Sequence, residues 1–243
     1  MLPPVDPAVA FRDVQRRILL IAFVESFVTT LVERGIYFYT CHALGFDDRA
    51  NLRLALVFGL VYAAVAAVSH RLAGYCGEQR LLAVAIGAQF GVALLMAAAS
   101  TPATVVAGTI ALGGLYGLKW PVIESYMLAG DTPAQAVRSV GRFSMAWSIA
   151  VPLGLAAAGP LIDAGRAWLF VAAVLSGLPT VLAMRGLGFA AGPGVALLGG
   201  ALGWGAAGAV SALAMLVTGC AVGALVVGMR ALRVLPEPGS SAP

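Results

Sequence analysis

Charge is scarce in this chain. Only 11% of its 243 residues are Asp, Glu, Lys or Arg, less than half of the roughly 25% usual in soluble domains. With 60% hydrophobic residues and a mean hydropathy of +0.94, that scarcity excludes a water-soluble globule and points to an integral membrane protein. Cysteine is nearly absent. Cys41, Cys76 and Cys220 form no CxxC or other metal spacing, which excludes a disulfide scaffold or a zinc module. The two histidines, His42 and His70, are too few to hold a metal without carboxylate help. Phosphate loops, HExxH and GxSxG are also missing, so neither an enzyme nor a bound cofactor is expected. The net charge is only +4 and the arginines are spread over segment ends rather than gathered in a patch, so nucleic acid is not an expected partner.

What is present is long apolar runs. A membrane helix needs about 20 mostly apolar residues, and segments 18–40, 52–73, 80–99, 103–128, 142–162 and 167–184 supply them. Between them stand turn-forming clusters such as Gly45-Phe46-Asp47-Asp48 and Gly130-Asp131-Thr132-Pro133. The links are short, so consecutive helices are expected to be antiparallel neighbours. Thirty glycines and abundant alanine suit helices that approach closely through small residues. The expected fold class is an all-α polytopic membrane bundle.

Orientation follows from the basic residues. With the N-terminus inside, inner segments hold Arg12, Arg16, Arg17, Arg71, Arg80, Arg138, Arg142 and Arg185, eight in all, and outer loops hold only Arg49, Arg53 and Arg166. Residues 1–17 form a polar N-terminal segment, read as cytoplasmic, with no small-residue cleavage site, so a cleaved signal peptide is not expected. Residues 18–184 make the six-helix bundle. Residues 185–233 follow as a glycine-rich membrane segment, whose uncharged stretch 194–229 is read as either one crossing or two short ones. Residues 234–243 form a polar tail expected to be disordered. The expected location is a cytoplasmic (inner) membrane of bacterial type.

Against this background the few charges inside apolar segments stand out. Charges in hydrocarbon cost several kcal/mol and persist where they are paired, face a wet cavity or lie near an interface. Helix 1 carries Glu25 and then Glu33-Arg34, followed by Tyr37 and Tyr39; helix 4 carries Lys119-Trp120 and then Glu124. At about 1.5 Å per residue, Glu25 lies about 10 Å from the inner end of helix 1, and Lys119 roughly 13 Å from the inner end of helix 4. Depth therefore matches Glu25 with Lys119, with Glu33 and Arg34 nearer the outer face. Glu25, Glu33, Arg34, Tyr37, Lys119, Trp120 and Glu124 are the candidate lining of a hydrated cavity for a substrate or a proton. The competing reading makes Glu33, Arg34, Tyr37 and Tyr39 an outer interfacial belt, and Glu124 with Tyr126 an inner one.

Three stretches resemble the major facilitator superfamily. The link between helices 2 and 3, Gly74-Tyr75-Cys76-Gly77-Glu78-Gln79-Arg80 after Arg71, is similar to its cytoplasmic gate signature, roughly G-x-x-x-D-R-x-G-R-R. Gly77 and Arg80 match; the signature's aspartate falls on Gly74, its next arginine on Tyr75, and Glu78 and Gln79 stand where basic residues belong. Helix 5, with Gly141 through Trp147-Ser148 and a later Gly159-Pro160, resembles a run common in that superfamily. In helix 1, Glu33-Arg34 and Tyr37 match the second half of the E-x-x-E-R motif of its proton-coupled peptide transporters, which pair it with a helix-4 lysine; the first glutamate falls on Thr30, so peptide transport is not implied. The resemblance covers 18–184, one six-helix half. It implies solute transport by alternating access, with proton coupling as one option. The implied partners are the lipid bilayer, a small solute, and a second copy or second half. It implies gate roles for Arg71, Gly77 and Arg80. The alternative is a truncated or degenerate facilitator descendant that serves as a non-transporting scaffold or partner subunit.

Overall fold

The computed structural model describes residues 7–128 and 133–184, and side chains of 13–127 and 136–184. The segment 194–229, with its one or two crossings, and the tail lie outside the described residues. Six helices run through the described chain: α1 (Pro7–Leu44), α2 (Asp48–Cys76), α3 (Glu78–Ala98), α4 (Pro102–Leu128), α5 (Pro133–Ala164) and α6 (Trp168–Met184). No strand occurs among the described residues. Four stretches are long and apolar enough to cross a membrane, Asp48–Cys76, Glu78–Ala98, Pro102–Met127 and Ala136–Ala164, and α6 is a shorter apolar helix of 17 residues. They mark an integral membrane protein.

The apolar runs coincide with these helices to within a residue where they do not fall wholly inside them, but two helices start well before them. Residue 18 begins the first run and residue 142 the fifth, whereas α1 starts at Pro7 and α5 at Pro133. The apolar run stops where lipid would stop, while the backbone ladder continues into the polar turns. Proline opens α1, α4 and α5. It suits a first position, where its fixed φ is helical and no N–H is needed. Asp47 caps α2, its carboxylate accepting from the Ala50 N–H at 2.7 Å. Gly77 alone separates α2 from α3, at φ 87°, and its N–H closes α2 on the Ala73 carbonyl.

Helix directions follow from who meets whom. On α1 and α5, Gln15 meets Ser139, Leu31 approaches Gly154 and Gly35 faces Ala158, so these helices are parallel. On α2 and α4, Phe58 meets Gly113 and Tyr62 meets Gly117, again parallel. Helices α3 and α4 are antiparallel, with Met96 against Gly108 and Gln89 against Lys119. The two parallel pairs pack most extensively, followed by α1 on α6 and α4 on α3. Exchanging the first three helices with the last three converts α1·α5 into α4·α2 and α1·α6 into α4·α3, and returns α3·α6 to itself. The described bundle thus packs as two three-helix units of opposite orientation.

Both parallel pairs need a missing side chain at the crossing. A Cβ at Gly117 would stand 2.6 Å from the Tyr62 carbonyl oxygen, and one at Gly154 would stand 3.0 Å from the Phe27 carbonyl oxygen. Helix α1 sits inside the bundle: nearly every position from 21 to 40 is buried, against α4, α5 and α6. That placement explains how a helix with three charges in its apolar part is accommodated.

Candidate functional site

Lys119 is the chain's only lysine, and its ammonium lies in the middle of the bundle with no exposed surface. An ammonium has three protons to place. Lys119 Nζ donates to Glu25 Oε2 at 2.6 Å, to Gln89 Oε1 at 2.7 Å and to Thr29 Oγ1 at 3.0 Å. All three acceptors are buried. The face of the Tyr116 ring lies 4.2 Å from Nζ and the Trp120 ring 5.4 Å, adding cation–π attraction in a desolvated setting. The Tyr116 hydroxyl is itself hydrogen-bonded to Thr29.

Gln89 closes the cluster. Its Nε2 donates to Glu25 Oε2 at 2.7 Å while its Oε1 accepts from Lys119. Only this amide orientation gives the lysine an acceptor and the carboxylate a donor. Glu25 Oε2 therefore receives two protons' worth of hydrogen bonding, and Oε1, equally buried, has no partner among the described residues. The network ties α1 and α3 of one three-helix unit to α4 of the other.

Depth arithmetic matches Glu25 with Lys119, and the structure joins them. Glu33 and Arg34 lie two turns farther along α1. They are 7% and 9% exposed, with Arg34 Nε 3.6 Å from Glu33 Oε1. That enclosure, together with complete burial of Tyr39 against Phe170 at 5.4 Å, does not fit an outer belt at headgroup level. Tyr126 is likewise buried at 2% exposure, which does not fit an inner belt. Glu33 stays within Coulombic reach of Lys119. Tyr37 is half-buried, with its backbone carbonyl accepting from Asn51 at 3.2 Å. Trp120 is buried edge-on to Phe143, and Glu124 is half-buried nearer the C-terminal end of α4.

Thr30 stands where the peptide-transporter motif has its first glutamate. It packs into the α1–α5 crossing, where a Cβ on Gly154 would lie 3.1 Å from its own Cβ. The larger glutamate would be forced into the α5 backbone there. The acidic group that meets the helix-4 lysine is instead Glu25, reached by stepping down one further turn through Thr29.

No protein-family model matches this chain, and no curated protein matches it in sequence.

The residues of the α2–α3 link lie apart from this core. Arg71 and Arg80 are exposed, and among the described residues neither makes an ion pair. Beside them a cavity of about 120 Å³ opens between the ends of α2 and α4 and the start of α3, lined by Ser69, His70, Arg71, Glu78, Pro121 and Ser125.

Two members of the central network, Gln89 and Thr29, escape a reading that follows charge. Both carry a signal. Gln89 is the lone polar residue between Leu81 and Ala99, and Thr29 follows Glu25 by four positions, on the same helix face.

Proposed function

We propose that this chain is a facilitator-type half that moves a small solute across the membrane by alternating access, working with a second copy of itself, and that Glu25 and Lys119 form its charge-exchange centre. The observation that carries the reading is the sealed network of Glu25, Lys119, Gln89 and Thr29. A buried ion pair is weak evidence for stability, since apolar replacements of similar volume are often as stable or more so. A bundle that needed only packing would have no use for it. The orphan Oε1 of Glu25 keeps an acceptor unused among the described residues, one that a proton or a ligand donor could take without disturbing Oε2. The exchange of α1–α3 with α4–α6 supports the same reading, because inverted three-helix repeats are how facilitator halves are built.

Alternating access rocks one half against another, so the working unit is a pair of chains. Reconstituted into liposomes that hold a pH-sensitive dye, the protein should change the internal pH when an outward proton gradient is combined with the right member of a panel of small solutes. Glu25→Gln and Lys119→Met should abolish that change. A strictly monomeric mass in mild detergent, or proton movement unaffected by both variants, would refute the proposal. The scaffold alternative draws on one observation, the absence of any exposed surface on Glu25 and Lys119; it requires both variants to leave every flux untouched.

A further inference from the structure

The inner end of the α1–α5 pair carries a basic surface that the central site does not use. Arg16 and Arg17 on α1, and Arg138 and Arg142 on α5, are all exposed, and none is ion-paired among the described residues. Gln15 Nε2 and Ser139 Oγ meet at 3.4 Å and fix how the two helices face each other. A helix turns by about 100° per residue. Arg16, one step past Gln15, therefore swings to one flank of α1. On parallel α5, Arg138 is one step before Ser139 and Arg142 three steps after it, and both swing to that same flank. Arg17 does not: it shares the far face of α1 with Asp13, four positions earlier.

The depth of this trio is equally specific. Arg16 stands two residues before the apolar stretch of α1, and Arg142 stands at the start of that of α5. Arg138 lies one turn farther out. Immediately toward the membrane interior on the same flank come the exposed Met145, at 66%, and the half-buried Leu19. A ligand seated here meets guanidinium donors at headgroup level and apolar side chains at acyl level. Guanidinium groups grip phosphate oxygens in a two-pronged geometry.

We infer that Arg16, Arg138 and Arg142 form a binding site for the phosphate of an anionic phospholipid, whose chains lie along Leu19 and Met145. The lipid bridges α1 and α5 at the edge of the bundle and anchors their inner ends at one depth. Asp13, three positions before Arg16 and four before Arg17, leans nearer to Arg17, and three arginines against this one carboxylate keep the site cationic among the described residues.

Native mass spectrometry in mild detergent tests this, with phosphatidylglycerol and phosphatidylcholine of identical chains offered in equal amounts. The wild-type chain should retain phosphatidylglycerol preferentially. Arg142→Gln and Arg16→Gln, on different helices, should each weaken retention about fivefold, the effect of about one interfacial cation. Arg138→Lys/Arg142→Lys should keep most of the preference. Arg17→Gln should change it little. Millimolar inorganic phosphate should not displace the lipid; displacement would mean a free-phosphate site and overturn the lipid assignment. Equal retention of the two lipids, or Arg16→Gln behaving as wild type, would also overturn it. Matching thermal unfolding of each variant in detergent separates lost binding from lost fold.

Discussion

Replacing Lys119 by Met keeps most of the side-chain volume and removes the charge and all three hydrogen bonds. Glu25 is then left as a buried anion with one remaining donor, Gln89 Nε2, and Gln89 Oε1 and Thr29 Oγ1 lose their lysine partner. Breaking a buried pair in this way costs about 3–5 kcal/mol. At about 2–4 °C per kcal/mol for a chain of this size, unfolding should move down by about 10 °C. Glu25→Gln should cost a similar amount, because it strands the ammonium. The double variant Glu25→Gln/Lys119→Met removes both charges, so it should be more stable than the two single losses added together, by about 2 kcal/mol or more. The charge-swapped Glu25→Lys/Lys119→Glu should likewise recover part of the loss. Thermal unfolding in detergent, followed by intrinsic tryptophan fluorescence, reads all of these. Additive single losses, with no recovery in either double variant, would refute the pairing as an energetic unit. Single variants within about 0.5 kcal/mol of wild type, the range of ordinary surface substitutions, would refute the burial argument itself.

Gln89→Leu should destabilise by about 1.5–3 kcal/mol, the worth of hydrogen bonds to charged groups, less than either charge removal and non-additive with Lys119→Met in the same melting assay. Gly117→Ala places a methyl 2.6 Å from the Tyr62 carbonyl oxygen and should cost about 1–3 kcal/mol by prising α2 from α4. Gly91→Ala, with nothing within 4 Å of the new methyl, should be neutral or stabilising by up to about 1 kcal/mol, also read by melting. With Cys41 and Cys220 replaced by Ser, exposed Cys76 should react with a membrane-impermeant maleimide in inverted vesicles and not in intact cells; the reverse labelling would invert the topology.

Much of the helical layout was legible because lipid imposes a length. A run of about 20 apolar residues has few other uses, and each run matches a helix, two of them overshooting by one residue. The ends of α1 and α5 were not legible, since hydropathy reports where lipid stops and not where the hydrogen-bond ladder stops. The pairing of Glu25 with Lys119 came from counting residues along two antiparallel helices, an argument that needs only the rise per residue. Gln89 and Thr29 are uncharged, so reading by charge does not reach them, although an ammonium with three protons requires more than one acceptor. Which helices touch was the least legible. Gly154, Gly113 and Gly117 mark the two parallel pairs, yet they stand among thirty glycines, and the opposing carbonyls of Phe27, Phe58 and Tyr62 distinguish them.

The separation of Glu25 from Lys119 along the chain, 94 residues, also sets a clock for biogenesis. Helix α1 leaves the ribosome with Glu25, Glu33 and Arg34 and no counter-ion for Glu25. At about 5–20 residues per second, α4 follows roughly 5 to 20 s later. During that interval α1 is a poor guest for lipid, because each mid-membrane charge adds about 2.5–3.5 kcal/mol to the insertion free energy. Helix α1 should therefore be held at the insertion machinery, or at the interface, until α4 arrives to neutralise it. The order of synthesis and the order of commitment to the membrane differ, and a chain cut before Lys119 should leave its N-terminal helix extractable by carbonate while a chain cut after α4 should not.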